Sequence, residues 1–351
     1  MKNSLLFLFV TLLLLGSAKA NRPSFLFKNH KEGYNMYRIP AIVKTNSGKL
    51  LAFCEGRNSL MDHGDIDLVM KSSDDNGKTW SALKVIWNDG KNTCGNPAPV
   101  VDVVTGDVVL VATLNNDKVF VLRSKNEGQS WEQPVEITAD VKPNDWKWYA
   151  AGPVHAIQMQ VARYKKRMVV PCNHTTSTNA NHISHIIYSD DNGYSWKLGG
   201  SVDAEKTDEC TVAELTDGRL MLNMRNNDRP LPNRKVSTSK DGGVTWSPAA
   251  FDSLLVEPVC QGALLWYSFK PNVLLFANPA HTKKRKNLTL RISYDNGTTW
   301  PKQMVINKPL SAYNDLVALP NGDIVCLFET GKLLPYGGVA IKVIEASIIT
   351  N

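Results

Sequence analysis

Arginine keeps its charge at any physiological pH and grips a carboxylate through forked hydrogen bonds. The arginines set in strand-like apolar runs are therefore the first residues that invite a chemical reading. Arg38 stands in Tyr37-Arg38-Ile39-Pro40, Arg225 closes Leu220-Met221-Leu222-Asn223-Met224-Arg225, and Arg291 lies in Leu288-Thr289-Leu290-Arg291-Ile292-Ser293. Any one of them alone reads as a surface ion pair. Asp62 sits in a loop, Arg57-Asn58-Ser59-Leu60-Met61-Asp62-His63-Gly64, that leads into the run Ile66-Asp67-Leu68-Val69. A carboxyl on such a loop can protonate a departing oxygen, which is what general acid catalysis needs. Asp65 is the competing choice, and Asp67, alternating within the strand, reads as structural. Glu209 precedes a strand in Asp208-Glu209-Cys210-Thr211-Val212, and Tyr313 stands in Ser311-Ala312-Tyr313-Asn314-Asp315-Leu316. A phenol with an ordinary pKa near ~10 is a poor nucleophile at neutral pH unless a carboxylate accepts its proton. Taken singly, Tyr313 reads as a half-buried packing residue.

The elements that must position these side chains announce themselves through a repeat, Ser-x-Asp-x-Gly-x-Thr/Ser-Trp. It occurs as Ser73 to Trp80, Ser189 to Trp196, Ser239 to Trp246 and Ser293 to Trp300, and a variant, Ser124 to Trp131, carries Asn126 in place of Asp. Within each box Asp can cap its own backbone, Gly supplies a positive φ, and Trp packs the bare turn onto its neighbour, so the box reads as a hairpin turn with a structural role. Short β-rich runs surround the boxes, among them Ile66 to Met70, Val108 to Ala112, Ile183 to Tyr188, Arg219 to Asn223 and Leu288 to Ser293, and no long stretch after the N-terminus has helical periodicity. Grouped strands with a period of about 50 residues predict an all-β chain, a β-propeller of four-stranded antiparallel blades, and the length allows roughly six of them.

The box is the Asp-box, or bacterial neuraminidase repeat, and from Tyr37 to the C-terminus the chain resembles the sialidases (neuraminidases), the bacterial-type secreted exo-α-sialidases of glycoside hydrolase family 33 among them. The resemblance implies a six-bladed propeller, with the boxes away from the active site, and it implies roles for the residues above. Arg38, Arg225 and Arg291 would bind the carboxylate of sialic acid. Asp62 would be the acid/base, Arg57 would contact the sugar's ring hydroxyls, Tyr313 would be the nucleophile and Glu209 its proton acceptor. Glu329, at the end of Ile324-Val325-Cys326-Leu327-Phe328, would hold Arg38, with Phe328 standing where the family commonly has Tyr. Asn96 in Cys94-Gly95-Asn96-Pro97-Ala98-Pro99-Val100 is a candidate polar contact to the sugar. Gly152-Pro153-Val154-His155-Ala156-Ile157-Gln158 is similar to a glycine-rich family stretch, with Val154 and Ala156 replacing glycines. The implied activity is retaining hydrolysis of terminal α-linked sialic acids through a covalent sialyl-tyrosine. Sialyl transfer to an acceptor sugar uses the same residues, and a sialic-acid-binding lectin on an inactive propeller is the reading from another class.

A neutral nucleophile has a physical reason there. The anomeric carbon of sialic acid already bears a carboxylate, and two unit charges near 4 Å repel by about 4 kcal/mol at an effective dielectric of ~20. A phenol avoids that repulsion.

Composition bounds the rest. With 43% hydrophobic and 21% charged residues, the 351-residue chain is a globular protein with ample material for a core, and a net charge of +7 lacks the basic excess of a nucleic-acid binder. Met1-Lys2-Asn3, the apolar run Leu5 to Leu15 and Gly16-Ser17-Ala18-Lys19-Ala20 read as a secretory signal peptide over residues 1–20, which predicts a secreted or periplasmic chain with one propeller domain over 21–351. No later stretch is apolar enough to span a bilayer, and a monomer is expected. Cys54, Cys172 and Cys326 sit in runs that read as buried strands, so free core thiols are favoured over the disulfides an exported chain could form. His182 and His185, three apart in an apparent strand, point to opposite faces, so no metal site is expected, and the implied chemistry needs no cofactor. The run Lys283-Lys284-Arg285-Lys286 reads as a solvated loop. Sialylated glycoconjugates are the expected partners.

Overall fold

Each repeated box begins on the last residue of a strand and folds as a side-chain-locked turn. In the computed structural model, which describes residues 24–268 and 270–350, the Ser73 hydroxyl donates to Asp75 at 2.8 Å and accepts from the Gly77 N–H at 2.9 Å. Asp75 accepts in turn from the Thr79 N–H at 2.8 Å and the Thr79 hydroxyl at 2.7 Å, and these donors hold its pKa down at about 2. Asn76 and Gly77 both take positive φ, 60° and 83°, and that pair of left-handed residues is why Gly recurs in every box. Asn126 keeps the geometry of the variant box by accepting from the Ser130 N–H and donating its amide to the Ser130 hydroxyl, both at 2.8 Å.

The boxes join the third and fourth strands of small antiparallel sheets. Four of these are separate: Met36–Lys44, Leu50–Arg57, Ile66–Ser73 and Lys84–Trp87; Cys94–Val101, Val108–Leu114, Lys118–Ser124 and Val135–Glu136; Trp146–Ala151, Met168–Thr176, Ile183–Ser189 and Lys197–Ser201, with Ile157–Gln158 as an extra strand; and Thr207–Glu214, Leu220–Asn226, Asn233–Ser239 and Ala250–Val256. The remaining strands form one seven-stranded sheet, in the order Ala263–Ser268, Val273–Pro279, Lys286–Ser293, Lys302–Ala318, Ile324–Thr330, Gly338–Ile344 and Ser24–Lys28. The fold is therefore all-β and propeller-like, and it departs from separate four-stranded units at one place. The 17-residue strand Lys302–Ala318 pairs with Lys286–Ser293 over its first half and with Ile324–Thr330 over its second. Ser24–Lys28 pairs with Gly338–Ile344, so the two ends of the described chain share a sheet. Two four-residue helices, Thr138–Val141 and Ser347–Thr350, and a short 3-10 turn at Ala162–Tyr164 are the helical elements among the described residues. None is long and apolar enough to cross a membrane. The expected signal peptide lies outside the described residues.

Apolar side chains fill the spaces between neighbouring sheets. Val100, Val109 and Val111 of one sheet meet Val170, Cys172 and Ile187 of the next, and the box tryptophan Trp196, 3% exposed, seals that cluster while donating its indole N–H to Gly193. Replacing Trp196 with Ala removes a large buried ring from a site with little room to collapse. The expected cost is about 3–4 kcal/mol in denaturant unfolding, and a loss below about 1 kcal/mol would show that the box tryptophan is dispensable. All six cysteines are buried free thiols, and Cys54, Cys172 and Cys326 lie in strands as their contexts suggest.

Because the boxes follow the third strands, they lie at the end of the sheets where the first strands finish. The opposite end carries the starts of the first strands and the ends of the second. Arg38 and Glu209 belong to the first class, as does Tyr313 near the start of the half of Lys302–Ala318 that pairs with Ile324–Thr330; Arg57, Arg225 and Glu329 belong to the second. Strand direction alone thus gathers these six residues at one end.

Candidate active site

The first strands do not pair evenly where they carry these residues. Register shifts fall between Arg38 and Ala41, between Thr207 and Cys210 across Glu209, and between Ser311 and Asn314 across Tyr313. At the first, Ile39 takes a φ of 60°. Such bulges unpair a residue and re-aim its side chain, and here they turn the three groups toward a common space.

At its centre the Tyr313 hydroxyl hydrogen-bonds Glu209 Oε1. Arg225 Nη1 donates to both partners, at 2.6 Å to Glu209 Oε2 and 3.2 Å to the Tyr313 oxygen. Burial and the neighbouring Glu209 charge push the Tyr313 pKa well up, against the pull of three arginines. Burial also works to raise Glu209, but Arg225, the hydrogen bond from Tyr313 and Arg285 together outweigh it and hold that carboxyl below its ordinary range. In the resting site the proton therefore belongs to Tyr313, with an ionised acceptor already bonded to it.

Arg38 lies beside this pair. Its Nε donates to Glu329 Oε1 at 3.1 Å, its Nη1 reaches Asp62 at 3.3 Å, and its guanidinium carbon lies 5.3 Å from the centre of the Tyr313 ring and 4.4 Å from that of Tyr336. Glu329 is fully buried and also accepts from the backbone N–H of Ile39 at 2.9 Å, so it fixes both the guanidinium and the bulge that presents it. Arg57 donates to Glu55 through Nε at 2.7 Å and to Asp62 through Nη1 at 2.6 Å. Asp62 is exposed on its loop. Partial burial acts to raise its pKa, but Arg57 and then Arg38 outweigh that effect and hold it as a carboxylate. Asp65 bonds instead to Asn58, and Asp67 is taken by the Tyr34 hydroxyl at 2.5 Å, which leaves Asp62 as the loop carboxyl facing the arginines.

One sequence-based assignment is corrected. Arg291 lies two residues before the Ser293 box, near the box end of the strand Lys286–Ser293, and donates to Asn278 at 2.9 Å. The third arginine at Tyr313 is Arg285, whose basic run has the sequence pattern of a solvated loop. It immediately precedes that strand, at the end opposite the box, and its guanidinium carbon is 5.4 Å from the centre of the Tyr313 ring. Nη1 donates to the Tyr336 hydroxyl at 3.0 Å and Nη2 to the Val259 carbonyl at 2.9 Å. Six residue steps along the strand separate the two arginines, about 20 Å. The missed signal was position relative to the box: a residue just before a box cannot share an end with Arg225, which closes a second strand. Lys283 and Lys284 are exposed, as expected of a solvated loop.

Three supporting residues were also not anticipated. Glu55 anchors Arg57, Tyr336 lies against Arg38 and accepts from Arg285, and Asp208 lies 3.4 Å from Arg225 Nε. Asn96 is half-buried, with its backbone N–H donating to Glu55 at 2.8 Å and its amide to Thr113 at 2.9 Å, so in the structure it braces the carboxylate behind Arg57. His155, from the stretch with replaced glycines, is buried against Asp315 at 2.6 Å, where Asp315 also accepts from the Ile42 N–H. That pair ties the first strands together and makes no bond to Tyr313. His182 and His185 separate as expected: His182 lies 3.5 Å from Asp208, while His185 is buried beside His174 and Trp146.

Residues 48–326 match the BNR repeat-like domain family. The chain is 30% identical over 341 residues to a sialidase from Micromonospora viridifaciens, covering 88% of this chain and 52% of that protein. It is 31% identical over 299 residues to an exo-alpha-sialidase from Arthroderma benhamiae, covering 75% and 68% respectively. Among solved structures, the Hadza microbial sialidase Hz136 superposes with a TM-score of 0.80 at 27% identity, over 90% of this chain and 67% of that one. The chain spans about half the length of the first curated relatives it matches.

Proposed function

The chain belongs to the sialidase family, and from that premise we propose that it is a retaining exo-α-sialidase acting on terminal α-linked sialic acids of glycoconjugates. The observation that carries the reading is the bonded Tyr313–Glu209 pair with Arg225 across it and Arg38 and Arg285 beside the same ring. Three guanidinium groups around one point suit a carboxylate ligand. A phenol bonded to an ionised carboxylate suits attack on a carbon that bears such a carboxylate, because no negative nucleophile has to approach it. Glycosidases as a class use two carboxylates, and a tyrosine nucleophile is the exception associated with sialidases.

The proposed course is as follows. The substrate carboxylate engages Arg38, Arg225 and Arg285. Drawing Arg38 and Arg285 toward the ligand weakens two of the three arginine charges that hold Asp62 ionised, so Asp62 can carry a proton to the glycosidic oxygen. Tyr313 gives its proton to Glu209 as its oxygen bonds the anomeric carbon, and the aglycone departs with the proton from Asp62. Asp62 then takes a proton from water, which opens the sialyl-tyrosine, and Glu209 returns its proton to Tyr313. A binding-only propeller would need the arginines and would have no use for the Tyr313–Glu209 pair.

The propeller in this reading has six blades: the four separate sheets, and two more that the strand Lys302–Ala318 fuses into the seven-stranded sheet. Export through the N-terminal signal peptide would bring the site to extracellular glycans.

A fluorogenic α-sialoside tests the activity. Release of the fluorophore together with free sialic acid is expected, with the α-anomer formed first and, with a fluorinated sialosyl probe, a mass increment on the peptide holding Tyr313. Binding without release would defeat the enzyme reading. Sialyl-lactose as the main product when lactose is added would replace hydrolysis with transfer.

A further inference from the structure

The bulge that presents Glu209 presents a second carboxylate with it. Thr207 pairs with Asn226 and Cys210 with Met224, so two residues, Asp208 and Glu209, stand opposite one, Arg225. Neighbours in an even strand point to opposite faces of the sheet. Here both carboxylates reach the same guanidinium. Glu209 takes Nη1 at 2.6 Å, and Asp208 Oδ2 lies 3.4 Å from Nε, a buried donor with no hydrogen-bond partner among the described residues.

Asp208 is 5% exposed and is fixed from both sides. Its Oδ1 accepts from the Asn173 amide at 2.7 Å and from the Glu209 backbone N–H at 2.9 Å, and its Oδ2 accepts from the Asn227 amide at 2.8 Å. None of these donors carries a charge. The charged and titratable groups that face it are Arg225, Glu209 and His182, whose Nδ1 lies 3.5 Å from Oδ1; Lys206, two residues upstream, pairs instead with Asp228. Burial raises the Asp208 pKa, Arg225 opposes that, and the Glu209 charge adds to it.

One positive charge thus serves two carboxylates, and the covalent step changes what each of them does. Arg225 makes Glu209 a reluctant acceptor for the Tyr313 proton. A second carboxylate on the same guanidinium draws part of that charge away and also repels the charge on Glu209, and both effects favour the proton's arrival. Once Glu209 is neutral, Arg225 loses one of its two protein partners, and Asp208 is the one that remains. We propose that Asp208 is a positioning residue for the covalent step: by sharing Arg225 it keeps Glu209 able to take the Tyr313 proton, and it holds the guanidinium in place after the transfer. The inference rests on the Tyr313–Glu209 reading above, and its test separates the two.

Asp208→Asn keeps the size of the side chain and one oxygen to accept from Asn173 and the Glu209 N–H, and removes the charge. On sialyl-lactose near neutral pH it should lower kcat/KM by about tenfold, the effect of one pKa unit at Glu209. KM should not rise, since Arg225 becomes freer for the substrate carboxylate. The readout that a merely structural role would not move is pH. Asp208 acts only as a carboxylate, so the wild-type advantage should be complete above its raised pKa and shrink toward one as pH falls through it. A wild-type to variant ratio that stays constant with pH, or no loss at neutral pH, would overturn the inference while leaving the sialidase reading intact. If thermal unfolding shows that the Asn variant does not fold, Asn227→Lys decides. It sets an ammonium beside Asp208 Oδ2 and should lower kcat/KM by about threefold or more. An unchanged or raised value there would overturn the role of Asp208. Wild-type protein that releases no sialic acid, or a Tyr313→Phe variant as active as wild type, would overturn the Tyr313–Glu209 reading and this inference with it.

Discussion

Replacing Tyr313 with Phe is expected to lower kcat on an activated α-sialoside by about 10³-fold or more, with KM changed by less than about threefold. The substitution removes a single oxygen, the atom that bonds Glu209 and receives a hydrogen bond from Arg225. Arg38, Arg225 and Arg285 remain, so carboxylate binding in the ground state is retained. What is lost is the covalent route. The arriving nucleophile would have to be a water in the space the hydroxyl vacated, with Glu209 as its base, and Glu209 is held at a depressed pKa by Arg225 and is a weak base for that task. A thousandfold loss corresponds to about 4 kcal/mol of barrier, within the range for removing a nucleophile. Folding should survive, because Glu209 keeps its 2.6 Å bond to Arg225 and the ring stays packed between guanidinium groups. Steady-state kinetics alongside thermal unfolding checks both halves. A variant within tenfold of wild-type kcat would mean that Tyr313 positions the substrate and does not attack it.

Why the sequence reveals some of this site and hides the rest follows from how far each constraint reaches along the chain. The boxes are local: Ser, Asp and Gly satisfy one another within eight residues, so the turn and its spacing can be read directly. Arg38 and Glu209 sit at strand starts with apolar runs after them, and Arg225 and Glu329 close such runs, so their end of the fold is implied by direction once the boxes mark the other end. Arg285 has no apolar run before it and three lysines beside it, which is the pattern of a solvated loop. The pairing of Ser311 with the Arg285 carbonyl, across 26 residues, and the bonds to Tyr336 and Val259 bring it to Tyr313. Tyr336 is hidden for the same reason, since it acts through arginines on other segments, whereas Glu55 stands two residues before Arg57 on the same strand. The return of Ser24–Lys28 to the last sheet is likewise a long-range pairing with no local signature, whereas Lys302–Ala318 pairs with the strands next to it in sequence on both sides.

Those local and non-local constraints make opposite demands on two arginines of similar appearance, and this gives the second large prediction. Arg285→Met should reduce kcat/KM on a sialoside by about 10²-fold, mostly through KM, because a charged hydrogen bond to a carboxylate contributes about 1.5–3 kcal/mol and a desolvated one more. Met retains much of the alkyl stem's volume against Tyr313 and Tyr336, so the loss reports charge and not packing. Arg285→Lys should recover only part of it, since an ammonium cannot present the fork that a carboxylate accepts. Arg291→Met should leave kcat/KM within about threefold. Its guanidinium donates to Asn278 of the neighbouring strand Val273–Pro279, and losing that bond should appear as about 1 kcal/mol in unfolding. Replacing exposed Lys283 and Lys284 together by Ala controls for the general charge of the loop and should change kcat/KM by less than about threefold at moderate salt. A large kinetic loss in the Arg291 variant with none in the Arg285 variant would return the third carboxylate contact to Arg291 and would require the strand Lys286–Ser293 to run with its other end at the site.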